Sequence, residues 1–408
     1  MPVSQTTSAS AASDAMSPEE RRAGASLASI FALRMLGLFL ILPVFAVYAR
    51  HLPSGDNTPL VGLTIGAYGL TQALFQIPFG IASDRFGRKP VIVFGLLLFA
   101  LGSIVAAVAD DLPLILVGRV IQGAGAISAA VTALAADLTR EQHRTKVMAM
   151  IGSSIGLVFA ISLVVAPLLY AAIGMPGIFG LTGVLALVAI VALLKVVPAE
   201  PELKVDGGRT RFAQVLFHPQ LLRLNFGVFV LHLTQTAMWV LVPVALVRTG
   251  DLPVAEHWKV YLPAVLVSLA VMVPAVIAAE RRGRMKMVFN GAVGLMLLVQ
   301  IGFHFFGQGL LPLTLLLTAF FIAFNVLEAT QPSLISRIAP PEAKGAALGI
   351  YNTTQSVGLF AGGVIGGMLA QRLGNDAVWF TTAALCLVWL GLGLSMTPPP
   401  SRAQRRQN

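Results

Sequence analysis

Gly80-Ile81-Ala82-Ser83-Asp84-Arg85-Phe86-Gly87-Arg88-Lys89-Pro90 is a short, densely charged turn held between two long apolar runs. Its pattern returns near half the chain length, where Ile277-Ala278-Ala279-Glu280-Arg281-Arg282-Gly283-Arg284 follows Ile81 to Arg88 at an offset of 196 residues. A second pair keeps almost the same register, Lys146 beginning one apolar run as Lys344 begins another 198 residues later. Two echoes at half-length mark the duplication of a whole module, the kind of repeat from which two-halved membrane folds are built.

The rest of the composition agrees. Of 408 residues, 56% are hydrophobic and 11% charged, against roughly 45 to 50% and about 25% in soluble domains. Lipid offers no hydrogen bonds to bare backbone, so runs of roughly 20 apolar residues without period-2 alternation select helices over a barrel. An all-α polytopic membrane protein is expected. The basic residues behind the net charge of +10 are scattered among short loops, which argues against nucleic acid as a partner. Cys386 is the lone cysteine, so neither an intrachain disulfide nor a thiolate metal cluster can form. No Walker sequence and no His-Glu-x-x-His pair is present. Gly152 to Gly156 matches Gly-x-Ser-x-Gly but lies inside an apolar run, where small residues read as helix packing rather than as a nucleophile's turn. An enzyme, a cofactor and a metal are therefore not expected.

Apolar runs between charged or Pro/Gly-rich breaks give twelve spans. The first six run about Ala23 to Tyr48, Leu60 to Ala82, Pro90 to Ala109, Leu112 to Leu138, Val147 to Ala172 and Ile178 to Val197. The second six run about Leu221 to Val247, Trp258 to Ala279, Met287 to Phe306, Leu311 to Ile338, Ala346 to Ala370 and Val378 to Met396. The expected organisation is a disordered cytoplasmic tail (1–20), an N-terminal six-helix half (21–197), a cytoplasmic linker (198–220), a C-terminal six-helix half (221–396) and a short cytoplasmic tail (397–408). Residues 1–20 show no signal peptide. Twenty-two of the 28 Lys and Arg residues fall on one side of this pattern and four on the other, which places the basic side and both termini in the cytoplasm of a cell membrane.

In the charged turn, Arg85, Arg88 and Lys89 anchor span two at the cytoplasmic face, Gly80 admits a close helix, and Gly87 permits a tight turn. Asp84 is an acceptor between two membrane helices. It is expected to sit at the positive N-terminus of span eleven near Gly345 and to pair with Arg88, a contact that holds only while the cytoplasmic side is closed.

The turn from Gly80 to Pro90 resembles the signature loop of the major facilitator superfamily. Arg119-Val120-Ile121-Gln122-Gly123-Ala124-Gly125 resembles the span-four motif of its twelve-span drug:proton antiporters, and Leu36-Gly37 with Leu42-Pro43-Val44 their span-one motif. The stretches Leu33 to Gly37, Tyr68 to Gln72, Phe75 to Pro78, Asp137 to Gln142, Glu256 to Tyr261, Phe324 to Glu328 and Pro332 to Ser336 are similar to the YajR-type branch. Span five departs from the antiporter pattern, since Ala166-Pro167 is followed by Leu168, Leu169 and Tyr170 rather than by paired glycines. The resemblance implies two pseudo-symmetric six-helix halves around a central cavity and a secondary transporter. It also implies that Arg119 serves proton coupling beside Gln122, with Gly123 and Gly125 packing helices, and that Asp137 joins the cytoplasmic gate.

Charges inside a membrane are costly enough that function is their default reading. Arg34 lies about 16 Å into span one, where it is either a cavity residue or a structural arginine satisfied by carbonyls or a neighbouring helix. Glu328 is the sole acid deep within any span, and Pro332 has no N–H to offer its carbonyl. A carboxylate in such a cavity is suited to load and release protons unless a basic residue such as Arg34 pairs with it. Polar residues share helix faces at i, i+3 spacing: His232 with Gln235, Asn325 with Glu328, and Asn352 with Gln355; Trp239 extends the first and Tyr351 adjoins the last. Spans one, four, seven and ten usually line the cavity in this superfamily, which would place Arg34, His232, Gln235, Trp239, Asn325 and Glu328 around it; interhelical bonding is the alternative for each. The function expected is export of a small hydrophobic or cationic compound in exchange for protons, by a monomer in the bilayer. Metabolite or sugar transport, or a transport-inactive sensor, is the alternative.

Overall fold

The computed structural model describes residues 16–200, 215–340 and 343–397. Most of the expected linker, the C-terminal tail after residue 397 and residues 1–15 lie outside the described residues. No strand forms among the described residues, and eleven helical stretches are long and apolar enough to cross a membrane. Span one begins earlier than its hydropathy indicates, because Ser17 caps the helix at Pro18 in a reciprocal capping box with Glu20. Residues 17–20 therefore belong to the first span and not to the tail.

One stretch, Glu141–Lys195, is 55 residues long, and at 1.5 Å per residue it would measure about 80 Å, more than twice a bilayer core of roughly 30 Å. It turns back at Gly174, whose φ is 66°. Spans five and six are its two arms, and both lie against span one. A Cβ on Gly24 would meet Val147 and Ser154 donates to the Ala28 carbonyl, while Gly37 faces Thr182 and Arg22 reaches the Val196 carbonyl. Contacts ascend span one with the first arm and descend it with the second, so the arms are antiparallel and the described residues hold twelve helical passes long and apolar enough to cross a membrane.

The duplication is carried by the backbone. Span two (Thr58–Phe86) ends at Gly87, φ 99°, and span eight (Trp258–Arg282) at Gly283, φ 66°. Gly174 between spans five and six is matched by Gly374, φ 87°, between spans eleven (Lys344–Leu373) and twelve (Asn375–Leu394). Each places a residue without a Cβ where φ is positive.

The halves touch along spans two and eleven, glycine to glycine. A Cβ on Gly62 would lie 2.1 Å from the Gly363 carbonyl oxygen, and one on Gly69 would lie 2.6 Å from that of Ser356. The Thr58 amide donates to Gln371 at one end of this seam and the Gln72 amide to Ser356 at the other. Beyond Gln72, towards the face that carries Asp84 and Arg88, contact ends: Cβ atoms on Gly345, Gly349, Gly152 or Gly156 would meet nothing within 4 Å. The halves are closed at the face of Thr58 and parted at the basic face.

Candidate functional site

Span one (Pro18–Phe39, continuing as Leu42–Ala49) places Arg34 at mid-depth, fully buried. Its Nη2 donates to the Tyr68 hydroxyl (2.6 Å), the Gly125 carbonyl (3.2 Å) and Gln72 Oε1 (3.4 Å). Span four is broken there, its first segment ending at Ala124 and the second beginning at Ser128, and the Gly125 carbonyl accepts from the Ile127 amide (2.9 Å) as well as from Arg34. Gly123 and Gly125 let that segment lie on spans two and three, since their Cβ atoms would fall 2.1 Å from Thr71 Oγ1 and 2.3 Å from the Gly95 carbonyl oxygen. Arg119, equally buried, donates to Gln122 (2.8 Å), which donates to Ser103 (2.7 Å), which also receives Thr182 (3.1 Å). The Arg119 guanidinium stands 5.0 Å from the Tyr68 ring centre. Tyr68 is therefore wedged between two buried arginines, neither of which forms an ion pair among the described residues.

The second cluster lies in the C-terminal half. His232 of span seven (Pro219–Arg248) donates through Nδ1 to the Val228 carbonyl at 3.0 Å, which leaves its Nε2 lone pair outward. Gln355 of span eleven donates to that nitrogen at 2.6 Å. Glu328 Oε2, from span ten (Leu310–Ile338), is 3.5 Å from the same nitrogen and has no hydrogen-bond partner, although 36% of the side chain is exposed. A proton delivered here has two adjacent seats, one on a carboxylate and one on an imidazole. The buried Tyr351 hydroxyl, also without a partner, stands near enough to feel the Glu328 charge.

An aromatic barrier stands on the closed side. Phe159 of the N-terminal half, backed by Phe39 (ring centres 5.1 Å apart), meets Phe321 (6.2 Å) and Phe324 (5.8 Å) of the other, and Trp239 packs between Phe321 and Tyr261.

At the basic face the signature turn is organised within its own half. Arg88 binds Asp84, Asp137 (2.9 Å) and Ser83 (2.8 Å). Glu280, the repeat partner of Asp84, likewise pairs with Arg337 inside the C-terminal half. Arg85 is exposed, and Lys89 donates to the Val197 carbonyl (2.8 Å). Glu20 grips Arg140, in the loop before span five, through both carboxylate oxygens, and these hydrogen bonds, with its charge, hold that guanidinium more firmly protonated than usual. Span three (Arg88–Ala107) has no local side-chain cap, and Glu200 supplies one from the end of span six, accepting from the Arg88 amide (2.7 Å) and the Lys89 amide (3.3 Å). Glu200→Ala is expected to cost about 1 kcal/mol, as loss of a helix cap does, read as a lowered melting temperature in detergent; an unchanged melt would mean that the cap carries no stability.

Comparison with known proteins adds the family. The model described as Major Facilitator Superfamily matches residues 25–250 and 224–408. The chain belongs to the major facilitator superfamily. Within it, the inner membrane transport protein YajR of Escherichia coli (strain K12) is 44% identical over 389 residues, covering 94% of this chain and 85% of that one. The class H tetracycline resistance protein of Pasteurella multocida is 30% identical over 147 residues, 36% of each chain. Among solved structures, a bacterial homologue of the human lysosomal transporter Spinster, in an inward-facing and occupied conformation, superposes with a TM-score of 0.75 at 12% identity, covering 94% of this chain and 98% of that one.

The superfamily fold brings together some of the residues expected at one cavity and separates others. His232, Glu328, Gln355 and Tyr351 converge; Gln235 is buried one turn from His232 and Asn352 is half-buried one turn from Gln355. Arg34 does not pair with Glu328; both of its Nη atoms donate within the N-terminal half, to Tyr68, Gln72, Gly125 and Ser128. Arg119 is enclosed inside that half. Asn325 donates to Ser268 of span eight (2.8 Å) and is interhelical glue, and Trp239 is packed in the barrier rather than set on the open side. Pro167 and Pro332 lie in helices that continue through them. The start of span eleven at Gly345 faces open space, so Asp84 makes no contact there, and Gly80 meets Ala129 of span four only at an ordinary 3.5 Å. Tyr68, Gln72 and Ser356 are the residues that sequence reasoning missed; the first two stand in the quoted Tyr68 to Gln72 stretch, but nothing in it marks them as partners of Arg34.

Proposed function

We propose that the chain is a secondary transporter that exports small hydrophobic or cationic compounds in exchange for protons. The observation that carries this reading is Glu328, the sole acid deep in any span, with a partly exposed side chain 3.5 Å from His232. With the basic face taken as cytoplasmic, substrate enters from the cytoplasm while Glu328 is ionised and can attract a cation. Protonation from the opposite side, after the halves rock, cancels that attraction and releases the cargo. The partial likeness to a tetracycline resistance protein supports export as the direction.

Purified protein in liposomes containing a pH-sensitive dye, challenged with lipophilic cations, tests it. Compound-driven proton movement is expected in the wild type, reduced in Glu328→Gln by roughly 10²-fold or more, the scale of removing a positioned proton carrier. Undiminished proton movement in Glu328→Gln would overturn the assignment. Compound movement without protons in the wild type would replace antiport by facilitated diffusion.

A further inference from the structure

Where spans two and eleven make their last contact before parting, one side chain joins the two clusters. Gln72 is buried, and its orientation is fixed by chemistry: a guanidinium only donates, so the amide atom facing Arg34 must be the oxygen and the nitrogen must face Ser356. Gln72 Nε2 donates to Ser356 Oγ at 3.1 Å, and Ser356 in turn donates to the Asn352 carbonyl at 3.0 Å. The chain Arg34 to Gln72 to Ser356 thus runs one way and crosses from the N-terminal half to the C-terminal half. Among the described residues it is the side-chain-to-side-chain hydrogen bond that joins spans two and eleven at this depth. Gln355, the residue before Ser356, donates to His232 Nε2, the nitrogen 3.5 Å from Glu328. Adjacent residues of span eleven therefore face Arg34 on one side and the proposed proton site on the other.

We infer that the Gln72–Ser356 hydrogen bond is the link through which proton occupancy at His232 and Glu328 is coupled to Arg34 and to closure of the two halves, with Gln72 and Ser356 as positioning residues. A proton on His232 Nε2 turns that nitrogen from acceptor to donor. Gln355 must then turn its amide or withdraw, and the withdrawal moves Ser356 relative to Gln72. With that bond lost, Arg34 keeps Tyr68 and Gly125 as partners, both in its own half, and nothing polar holds the seam at this depth. The titratable groups facing His232 are Glu328 from span ten and, beside it, Tyr351 from span eleven; among the described residues neither carboxylate nor imidazole pairs with a lysine or arginine.

The inference rests on the proton site proposed above, and the test separates the two. Spin labels on cysteines replacing exposed Phe86 and Lys344, at the basic ends of spans two and eleven, report their separation in nanodiscs, with buried Cys386 changed to alanine. Across roughly pH 5 to 8, where imidazole titrates, the wild-type distance distribution is expected to shift. Gln72→Leu and Ser356→Ala are expected to lose the shift, the double variant to be no worse than either single, and Ser356→Thr, which keeps the hydroxyl, to retain it. Ser356→Ala removes one oxygen only and keeps the test open should Gln72→Leu misfold. If both variants keep the shift while Glu328→Gln loses it, the link is refuted and the proton site stands. If Glu328→Gln keeps the full shift, the proton site falls and the link falls with it.

Discussion

Valine at Gly363 is expected to hold open the face that this structure closes. Its Cβ would lie 2.2 Å from the Gly62 carbonyl oxygen and 3.0 Å from the Gly66 nitrogen, and both are backbone atoms that cannot rotate aside. Overpacking a close contact costs about 1–3 kcal/mol even where side chains can yield, so the closed seam loses roughly 5- to 150-fold in population to any form in which spans two and eleven part there. Gly349→Val is the matched control, because nothing lies within 4 Å of its added Cβ in this conformation. A cysteine at Thr58, half-buried where the two spans meet, reads the difference with an impermeant maleimide. Faster labelling is expected in Gly363→Val and labelling no faster than wild type in Gly349→Val. Equal rates in all three would mean that the glycine contact does not set the equilibrium.

The outline of the fold was legible because lipid imposes it. Twelve apolar runs, the charged turn and its echo mark the helices, and the positive-φ glycines at 87 and 283 stand where the repeated turn requires them. The break between the apolar runs Val147 to Ala172 and Ile178 to Val197 is where the backbone turns, at Gly174 with φ 66°. Helical spacing correctly grouped His232 with Gln235 and Asn352 with Gln355 on shared faces. It could not say which faces meet, which is why Asn325 proves to serve Ser268 and Trp239 the aromatic barrier. Nor could it separate Arg34 from Glu328, since that needs the Tyr68 hydroxyl, Gln72 and the broken stretch of span four at Gly125 gathered around the guanidinium, a feature of three spans packed together rather than of any one. The expected contact of Asp84 with span eleven belongs to a form closed at the basic face, and a sequence does not state which form is held.

Arg34→Leu should do more damage than its lack of an ion pair suggests. A buried charge without an acid beside it is costly, and removing it recovers part of that cost. The loss lies in what the buried Arg34 guanidinium holds: Nη2 shares its two hydrogens among the Tyr68 hydroxyl, the Gly125 carbonyl and Gln72 Oε1, and Nη1 reaches the Ser128 hydroxyl (3.5 Å). Leaving a buried acceptor unpaired costs about 1–3 kcal/mol, and the Tyr68 hydroxyl and Gln72 Oε1 both lose their donor while the Gly125 carbonyl keeps the Ile127 amide; the two losses outweigh the relief from the charge, and a lowered melting temperature together with loss of transport is expected. Arg34→Lys keeps the charge but offers a flexible point donor in place of a planar fork, so it should recover stability before it recovers transport. Melting in detergent and liposome transport, measured on both variants, check this order. Wild-type melting in Arg34→Leu would show that the Tyr68 hydroxyl and Gln72 Oε1 find other partners. Full transport in Arg34→Lys would show that charge alone suffices, and the geometry of the guanidinium, shared between Tyr68 and the seam at Gln72, would then have no part in the mechanism.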